Sequence, residues 1–508
     1  MKIKFLFIIF ITSLNLVAQI SGSLDLTFGG TGYVTTNYSN SDDYGNAITI
    51  QADGKIIVAG TSGSDFAISR YNTNGTLDAS FGTGGKVVTS TGIYSDGSNS
   101  VKVQADGKIV VAGYSMNAAG TNNDFTIVRY TSVGILDNTF GTGGIVRSPI
   151  GNGSLAYSLF INPNGKIIVS GTSFNGTYQS FAVVRYNSNG TIDNTFGTSG
   201  QVITHVGTGN DFAVCMAQQN DGKIIVAGYT DNNLNTDIAV VRYDSLGSLD
   251  NTFGSSGIVI TPIGSASDIA NAISLQPDGK IVVAGWSYNG SSEDFAVVRY
   301  DNNGVLDPLF GTSGVVTTSV SNFSDGARGI VVQSDGKIVT TGFTRNNSNT
   351  LNNIAVINYN NDGTLNNAFG TNGIVITPIG SSHSDANAID IQIDGKIIIA
   401  GRNFNGTNND FAIARYNNDI TTNADEIKYK SIVSISPNPF NSNTTISFNE
   451  EQKNSTIKII DMNGKEVKTV NFSGKQLVVE KGTLPPAVYF LVITSESRNV
   501  VNRKIVIQ

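Results

Sequence analysis

One short unit is written seven times along this chain, and that repetition limits the possible folds more than any other feature. The glycine of a D-G-K or N-G-K tripeptide stands at positions 54, 107, 165, 222, 279, 336 and 395. The phenylalanine of an F-G pair stands at 28, 81, 140, 196, 253, 310 and 369. Both markers advance in steps of 53 to 59 residues. Each unit reads as four short strands. In the fifth unit these are Ala272–Gln276, the run KIVVAG from Lys280 to Gly285, the run DFAVVRY from Asp294 to Tyr300, and Val315–Thr318. Asp-Gly between two apolar runs is a hairpin signal, because glycine takes the positive φ that the turn requires.

The second and third strands are nearly continuous in apolar residues, so both of their faces must be covered. Stacking the four-stranded units radially covers both, and seven of them make a seven-bladed β-propeller. An open solenoid is the alternative, but its end units should carry polar caps, and none is evident. The array opens on LDLTFGGTGYVTT, a fourth strand without its first three, and stops at FAIARYNND, three strands without a fourth. Pairing Tyr33–Thr36 beside Phe411–Tyr416 would complete the seventh blade and close the ring.

Charged residues make up 14% of the chain and the net charge is −7, with no basic run. Neither nucleic acid nor an anionic membrane surface is favoured as a partner. Residues 1–19 read as a signal peptide: Lys2 and Lys4 precede the apolar run Phe5–Ile11, with a small-residue cut site near Ala18. No later segment has the length and hydropathy of a membrane-spanning helix. The lone Cys215 has no partner for an internal disulfide, so packing alone must hold the chain together.

Comparing the units with one another exposes a pair. The arginine of an R-Y dipeptide (Arg70, Arg129, Arg185, Arg242, Arg299) is followed eight residues later by the aspartate of an L-D or I-D dipeptide (Asp78, Asp137, Asp193, Asp250, Asp307). Where one unit has Asn358 in place of the arginine, Asn366 replaces the aspartate. The two change together, which an ion pair beside buried strands explains.

Chemistry is harder to find. The two histidines, His205 and His383, lie in loops at no metal-ligand spacing, and Cys215 reads as a core residue. A second acidic set, Asp43, Asp96, Asp211, Asp268 and Asp325, stands ten residues before the aspartate of the D-G-K turn. Ser154 takes that place in the third unit, and in the seventh Asp385 lies one residue nearer. These residues lead into the innermost strands. They would either ring one channel mouth, where carboxylates and carbonyls could take Ca²⁺, or cap their own loops. No other cofactor and no metal site is expected. Trp286, the one tryptophan, reads as a packing residue or a sugar-stacking platform.

After Tyr416 the pattern stops. Residues 417–431 read as a linker, and residues 432–508 as a second all-β domain of seven short strands, suggesting a small Ig-like sandwich. Ser436-Pro437-Asn438-Pro439-Phe440, the run IIDMNGK containing Gly464 and Lys465, Val488-Tyr489-Phe490 and the terminal RKIVI resemble the C-terminal sorting domain of the type IX secretion system of Bacteroidota. That resemblance implies partnership with the secretion machinery and delivery to the cell surface or medium. Residues 20–416 likewise resemble the bacterial delta-60 repeat, through L-D-x-x-F-G, Q-x-D-G-K-I-x-V-A-G and F-x-V-x-R-Y. This second resemblance implies an architecture and no activity.

The expectation is therefore a secreted or surface propeller, monomeric and non-enzymatic, that binds an extracellular glycan or protein. The alternatives are a polysaccharide hydrolase or lyase and a structural surface-layer component.

Overall fold

The computed structural model describes residues 20–346, 348, 350–418, 433–436, 438, 440–461, 466–494 and 500–507. The signal-peptide segment 1–19, most of the linker, and Pro437, Pro439, Gly464 and Lys465 lie outside them. Contacts divide the chain into two units, residues 1–418 and 419–508. No helix among the described residues is long and apolar enough to cross a membrane.

The first unit contains seven four-stranded antiparallel sheets, which are the blades of the propeller. In each of the first six, chain order is spatial order, from Asp43–Ile50 through Lys86–Thr89 in the first blade to Asp325–Val332 through Ile374–Thr377 in the sixth. The seventh takes Ser384–Ile391, Ile397–Phe404 and Asn409–Tyr416 from the end of the array and Tyr33–Thr36 from its beginning. The closing register pairs Tyr33 with Ala414 and Thr36 with Phe411, as the incomplete ends of the sequence required.

The core is divided among the seven seams between blades. Ile398, Ala400, Phe411 and Ile413 of the last blade pack with Ile48, Val58, Ala67 and Tyr71 of the first, so the closing seam matches the others. Complete burial of such side chains stabilises by about 1.5–3 kcal/mol each. Every D-G-K or N-G-K glycine has φ between 81° and 89°, which explains its recurrence at the hairpin.

The glycine of the V-A-G run recurs for a different reason. Every innermost strand carries a one-residue β-bulge, for example at Asn271 between Ala270 and Ala272. The facing backbone is pushed so close that a Cβ on Gly285 would lie 1.8 Å from the Ile269 carbonyl oxygen.

The second unit forms one five-stranded sheet from its described residues, not the seven short strands read from sequence. Asn443–Ile460 and Glu466–Glu480 each run through a polar stretch that looked like a break. Register shifts near Gln452 and Ser455 absorb the irregularity, so each pair of expected strands is one long strand. Tyr489 is buried in the core, and its hydroxyl donates to the Pro485 carbonyl at 3.0 Å. Asn438 accepts a hydrogen bond from the Val506 backbone at 2.8 Å, tying that part of the sorting motif to the last strand.

Candidate functional site

The Arg–Asp pairs form. Nε to carboxylate distances are 2.7 Å for Arg70–Asp78, 2.8 Å for Arg129–Asp137 and 2.7 Å for Arg185–Asp193. They are 2.9 Å for both Arg242–Asp250 and Arg299–Asp307. A sixth pair, Arg415–Asp25 at 2.8 Å, joins the two ends of the array. Its aspartate was in plain view in the opening L-D, 390 residues from its arginine. In all six pairs the guanidinium lies over the F-G phenylalanine ring, 4.4 to 4.7 Å from its centre. In all six the D-G-K or N-G-K lysine adds a second cation, as Lys280 does 3.3 Å from Asp307.

These pairs also link neighbouring blades. Each arginine donates from its Nη1 to a backbone carbonyl of the next blade, Arg70 to Ser132 and Arg415 to Thr73 among them. The adjoining tyrosine of R-Y reaches the other way. Tyr300 donates to Thr261 Oγ1 of the preceding blade at 2.7 Å, and all seven tyrosines do the same to a Ser or Thr. Burial by itself raises the Asp25 carboxyl, but hydrogen bonds from Lys396 and Thr27 and the Arg415 charge outweigh it and hold it at about 2. Asp137 is likewise held at about 2, and Asp78, Asp193, Asp250 and Asp307 lie below the usual carboxylate range.

The second acidic set does not open into the channel. Asp43, Asp96, Asp211, Asp268 and Asp325 are fully buried at the start of their strands. Each accepts a backbone N–H from the loop before it: Tyr38, Thr91, Val206, Ile263 and Val320, at 2.7–2.8 Å. This is the loop-capping arrangement, with no cluster of three or more His, Cys, Asp or Glu placed to hold a metal among the described residues. His205 joins one cap, with its Nδ1 2.7 Å from Asp211. Cys215 is buried in a seam, where burial pushes its thiol well up.

Asp385 is not a member of the set. Ser384 opens the innermost strand of the seventh blade and faces Asn403, just as Asp268 faces Ser287 in the fifth. Because side chains alternate along a strand, the one-residue offset turns Asp385 to the other face. There it meets two arginines. Arg402 Nη2 is 2.7 Å away and Arg328 Nη1 3.6 Å. Asn352 Nδ2 donates to its second oxygen at 2.8 Å. Burial raises this carboxyl, but the two guanidinium charges more than reverse that and leave it lowered.

Arg328 is the bulge residue of its strand. The seven equivalents are Asn46, Asn99, Tyr157, Val214, Asn271, Arg328 and Asn387, and all line a central cavity of about 840 Å³. Four of the asparagines reach to the next blade's carbonyl around the ring, for example Asn271 to Ala327 at 2.8 Å. Tyr157 and Val214 leave an apolar side. Trp286, Phe343, Arg345 and Glu293 line the same cavity.

A second ring of equivalent positions, the collar, supplies Trp286 and Phe343 to this cavity. It is built from the residue after the V-A-G glycine and its equivalents: Thr61, Tyr114, Thr172, Tyr229, Trp286, Phe343 and Arg402. From the fifth blade to the first, these residues form a continuous arc. Gly326 lies between Trp286 and Phe343, where a Cβ would meet them at 3.3 and 3.4 Å. Arg328 sits over the Phe343 ring at 4.8 Å, and Arg402 over the Tyr44 ring at 5.3 Å. Phe212 and Tyr229 stack at 4.8 Å on the fourth blade. Of this collar the sequence reading singled out only Trp286. The signal it passed over is that the residue after the V-A-G glycine takes five identities in seven units, while the residues around it persist.

Seven segments between residues 51 and 419 match the family described as a domain of unknown function (DUF5122) β-propeller: 51–81, 104–140, 162–196, 219–253, 276–310, 333–369 and 392–419. Residues 434–508 match a secretion system C-terminal sorting domain. No curated protein matches the sequence. Among solved structures, the chain is similar to virginiamycin B lyase from Staphylococcus aureus, at 16% identity over 75% of this chain and 98% of that one, with a TM-score of 0.43. It is also similar to the polysaccharide lyase Uly1, at 12% identity over 74% and 90%, TM-score 0.44. A third is the extracellular domain of a hybrid two-component system from B. thetaiotaomicron, at 13% identity over 94% and 57%, TM-score 0.40.

Proposed function

Starting from a chain that joins DUF5122 β-propeller repeats to a secretion-system sorting domain, we propose that the propeller is a saccharide-binding module whose ligand enters at the aromatic collar of the channel. The sorting domain directs the protein to the cell surface or the extracellular space. What it presents there is a ring built from one repeated unit, whose copies differ at the collar and at the bulge residues that line the cavity.

That difference is the observation that carries the reading. The ion pairs, the tyrosine links and the loop caps recur almost unchanged from blade to blade. The collar position instead runs through Thr, Tyr, Thr, Tyr, Trp, Phe and Arg. Half-buried aromatic faces beside hydrogen-bonding side chains suit the alternating apolar and hydroxyl faces of a sugar. Asp385, the buried carboxylate of the arc, is engaged by two arginines, which favours holding a ligand over transferring a proton to it.

Trp286 is the one tryptophan of the chain, so its emission reports this site alone. Titrating the mature protein against neutral and acidic oligosaccharides should shift that emission, and Trp286→Ala should lose the ligands found on a glycan array. An array with no ligand for the folded protein would overturn the reading. Recovery of shortened sugars after incubation would replace it with a lyase or hydrolase.

A further inference from the structure

The collar is not electrically uniform. On its sixth- and seventh-blade side, two guanidiniums, Arg328 and Arg402, meet the buried carboxylate of Asp385, and Arg402 also lies near the exposed Asp42 carboxylate. Arg328 is held in place from behind. Its Nη1 donates to Asn387 Oδ1 at 2.8 Å, and its guanidinium rests on the Phe343 ring. Arg402 donates from Nε to Asp385 at 2.8 Å and rests on Tyr44. Both arginines are therefore fixed before any ligand arrives, so little rotamer freedom remains to be lost on binding. Arg345 and Glu293 line the same end of the cavity and offset one another in charge.

Beside this cluster Gly326 lets Trp286 and Phe343 approach its backbone closely, since a Cβ there would stand 3.3 Å from Trp286 and 3.4 Å from Phe343. An aromatic pair and a preset guanidinium thus stand side by side on adjoining blades. No other blade repeats this arrangement: the bulge residue is cationic only in the sixth, and the glycine–aromatic pairing next to a tryptophan occurs only there. Burial and the nearby Arg402 both disfavour the charged form of Arg328, with Asp385 opposing them, so an incoming anion would relieve that strain.

We propose that Arg328 and Arg402 form the anion subsite of the collar, and that the ligand is an acidic saccharide whose ring stacks at Trp286 while its carboxylate or sulfate meets the guanidiniums. This inference rests on the saccharide reading above and adds the charge of the ligand. Carboxylate and sulfate can each present a pair of oxygens to an arginine fork.

The test follows Trp286 emission in the mature full-length protein titrated with maltotetraose, sulfated maltotetraose, tetragalacturonate and tetraglutamate. At least one acidic sugar should act at about a tenfold lower concentration than maltotetraose, and raising salt to about 0.5 M should shrink that preference. Arg328→Gln should bring the acidic-to-neutral ratio toward one. The same charge change at the exposed outer-strand Arg147→Gln should leave the ratio as it was. Asp385→Asn should raise affinity for the acidic sugar, a gain that misfolding does not produce. The two acidic arms show whether carboxylate or sulfate is preferred, and either outcome supports the subsite.

Equal response to acidic and neutral sugars, unchanged in Arg328→Gln, would overturn the anion subsite and leave the saccharide reading standing. Silence toward every sugar would overturn both. Tetraglutamate binding as tightly as the best acidic sugar would overturn the ligand class. Should the variants fail to fold, the salt dependence of the wild-type preference decides the matter.

Discussion

The seams between blades and the collar of the channel are built from the same strands, yet they follow opposite rules. A seam repeats: arginine to aspartate, lysine to the same aspartate, arginine over phenylalanine, tyrosine back to a hydroxyl. The collar varies, and beside it Arg328, Asp385 and Arg402 cluster on the sixth and seventh blades. The contrast separates scaffold from site. A ring closes when its seams share one geometry, and six of the seven units keep the same Arg–Asp pair while the sixth exchanges both members together. A ligand needs one asymmetric surface, and the collar is where asymmetry costs the ring nothing.

The largest effect should come from breaking the seam that spans the two ends. Removing residues 20–36 takes away Asp25 from Arg415 and Thr36 from Tyr71, and bares the edge of Asn409–Tyr416. Cooperative thermal unfolding should be lost; a sharp transition within a few degrees of the parent would mean the closing seam is not equivalent to the rest. Within a seam, Arg299→Asn should cost about 3–5 kcal/mol in urea denaturation, since it leaves Asp307 with only the Leu309 backbone N–H and the partly exposed Lys280. The double change Arg299→Asn with Asp307→Asn reproduces the sixth unit's own Asn358 and Asn366 and should cost less than the arginine change alone. Strictly additive losses would refute the coupling.

Acid should test the seams as well. The six seam aspartates have folded-state pKa values below the unfolded value of about 3.8. Their contribution to stability is therefore present above pH 4 and falls away between about pH 4 and pH 2, as protons bind the unfolded chain first. A melting temperature flat across that window would contradict the buried pairing. Tyr300→Phe, which loses one buried hydrogen bond to Thr261, should cost about 1 kcal/mol by the same urea assay. The smallest effect on stability belongs to the collar: Trp286→Ala should change it by under about 1 kcal/mol while losing the ligand response. A large loss of stability there would move Trp286 from site to scaffold.

Much of the seam was legible before any coordinates, because seven copies in one chain act as their own comparison. The joint loss of Arg and Asp at Asn358 and Asn366 revealed the pair, although the lysine and phenylalanine that complete it were read only as turn and marker. Asp385 shows the limit of such reading. Counted along the sequence it belonged with the buried caps, yet one residue of offset reverses the face of a strand. The long strands of the second unit were hidden for a related reason: backbone pairing carried them through polar residues where composition suggested turns.

By itself, the sequence determined the number of blades, the closing strand, the buried ion pairs and the address of the protein. All of these depend on periodicity and on residues whose partners lie at fixed offsets. Tertiary structure alone decided that Trp286, Gly326, Phe343, Arg328, Asp385 and Arg402 are neighbours. They come from three blades and span over a hundred positions, and no local rule relates them. Only the closing of the ring, which turns the bulge of every innermost strand toward a common axis, brings them together.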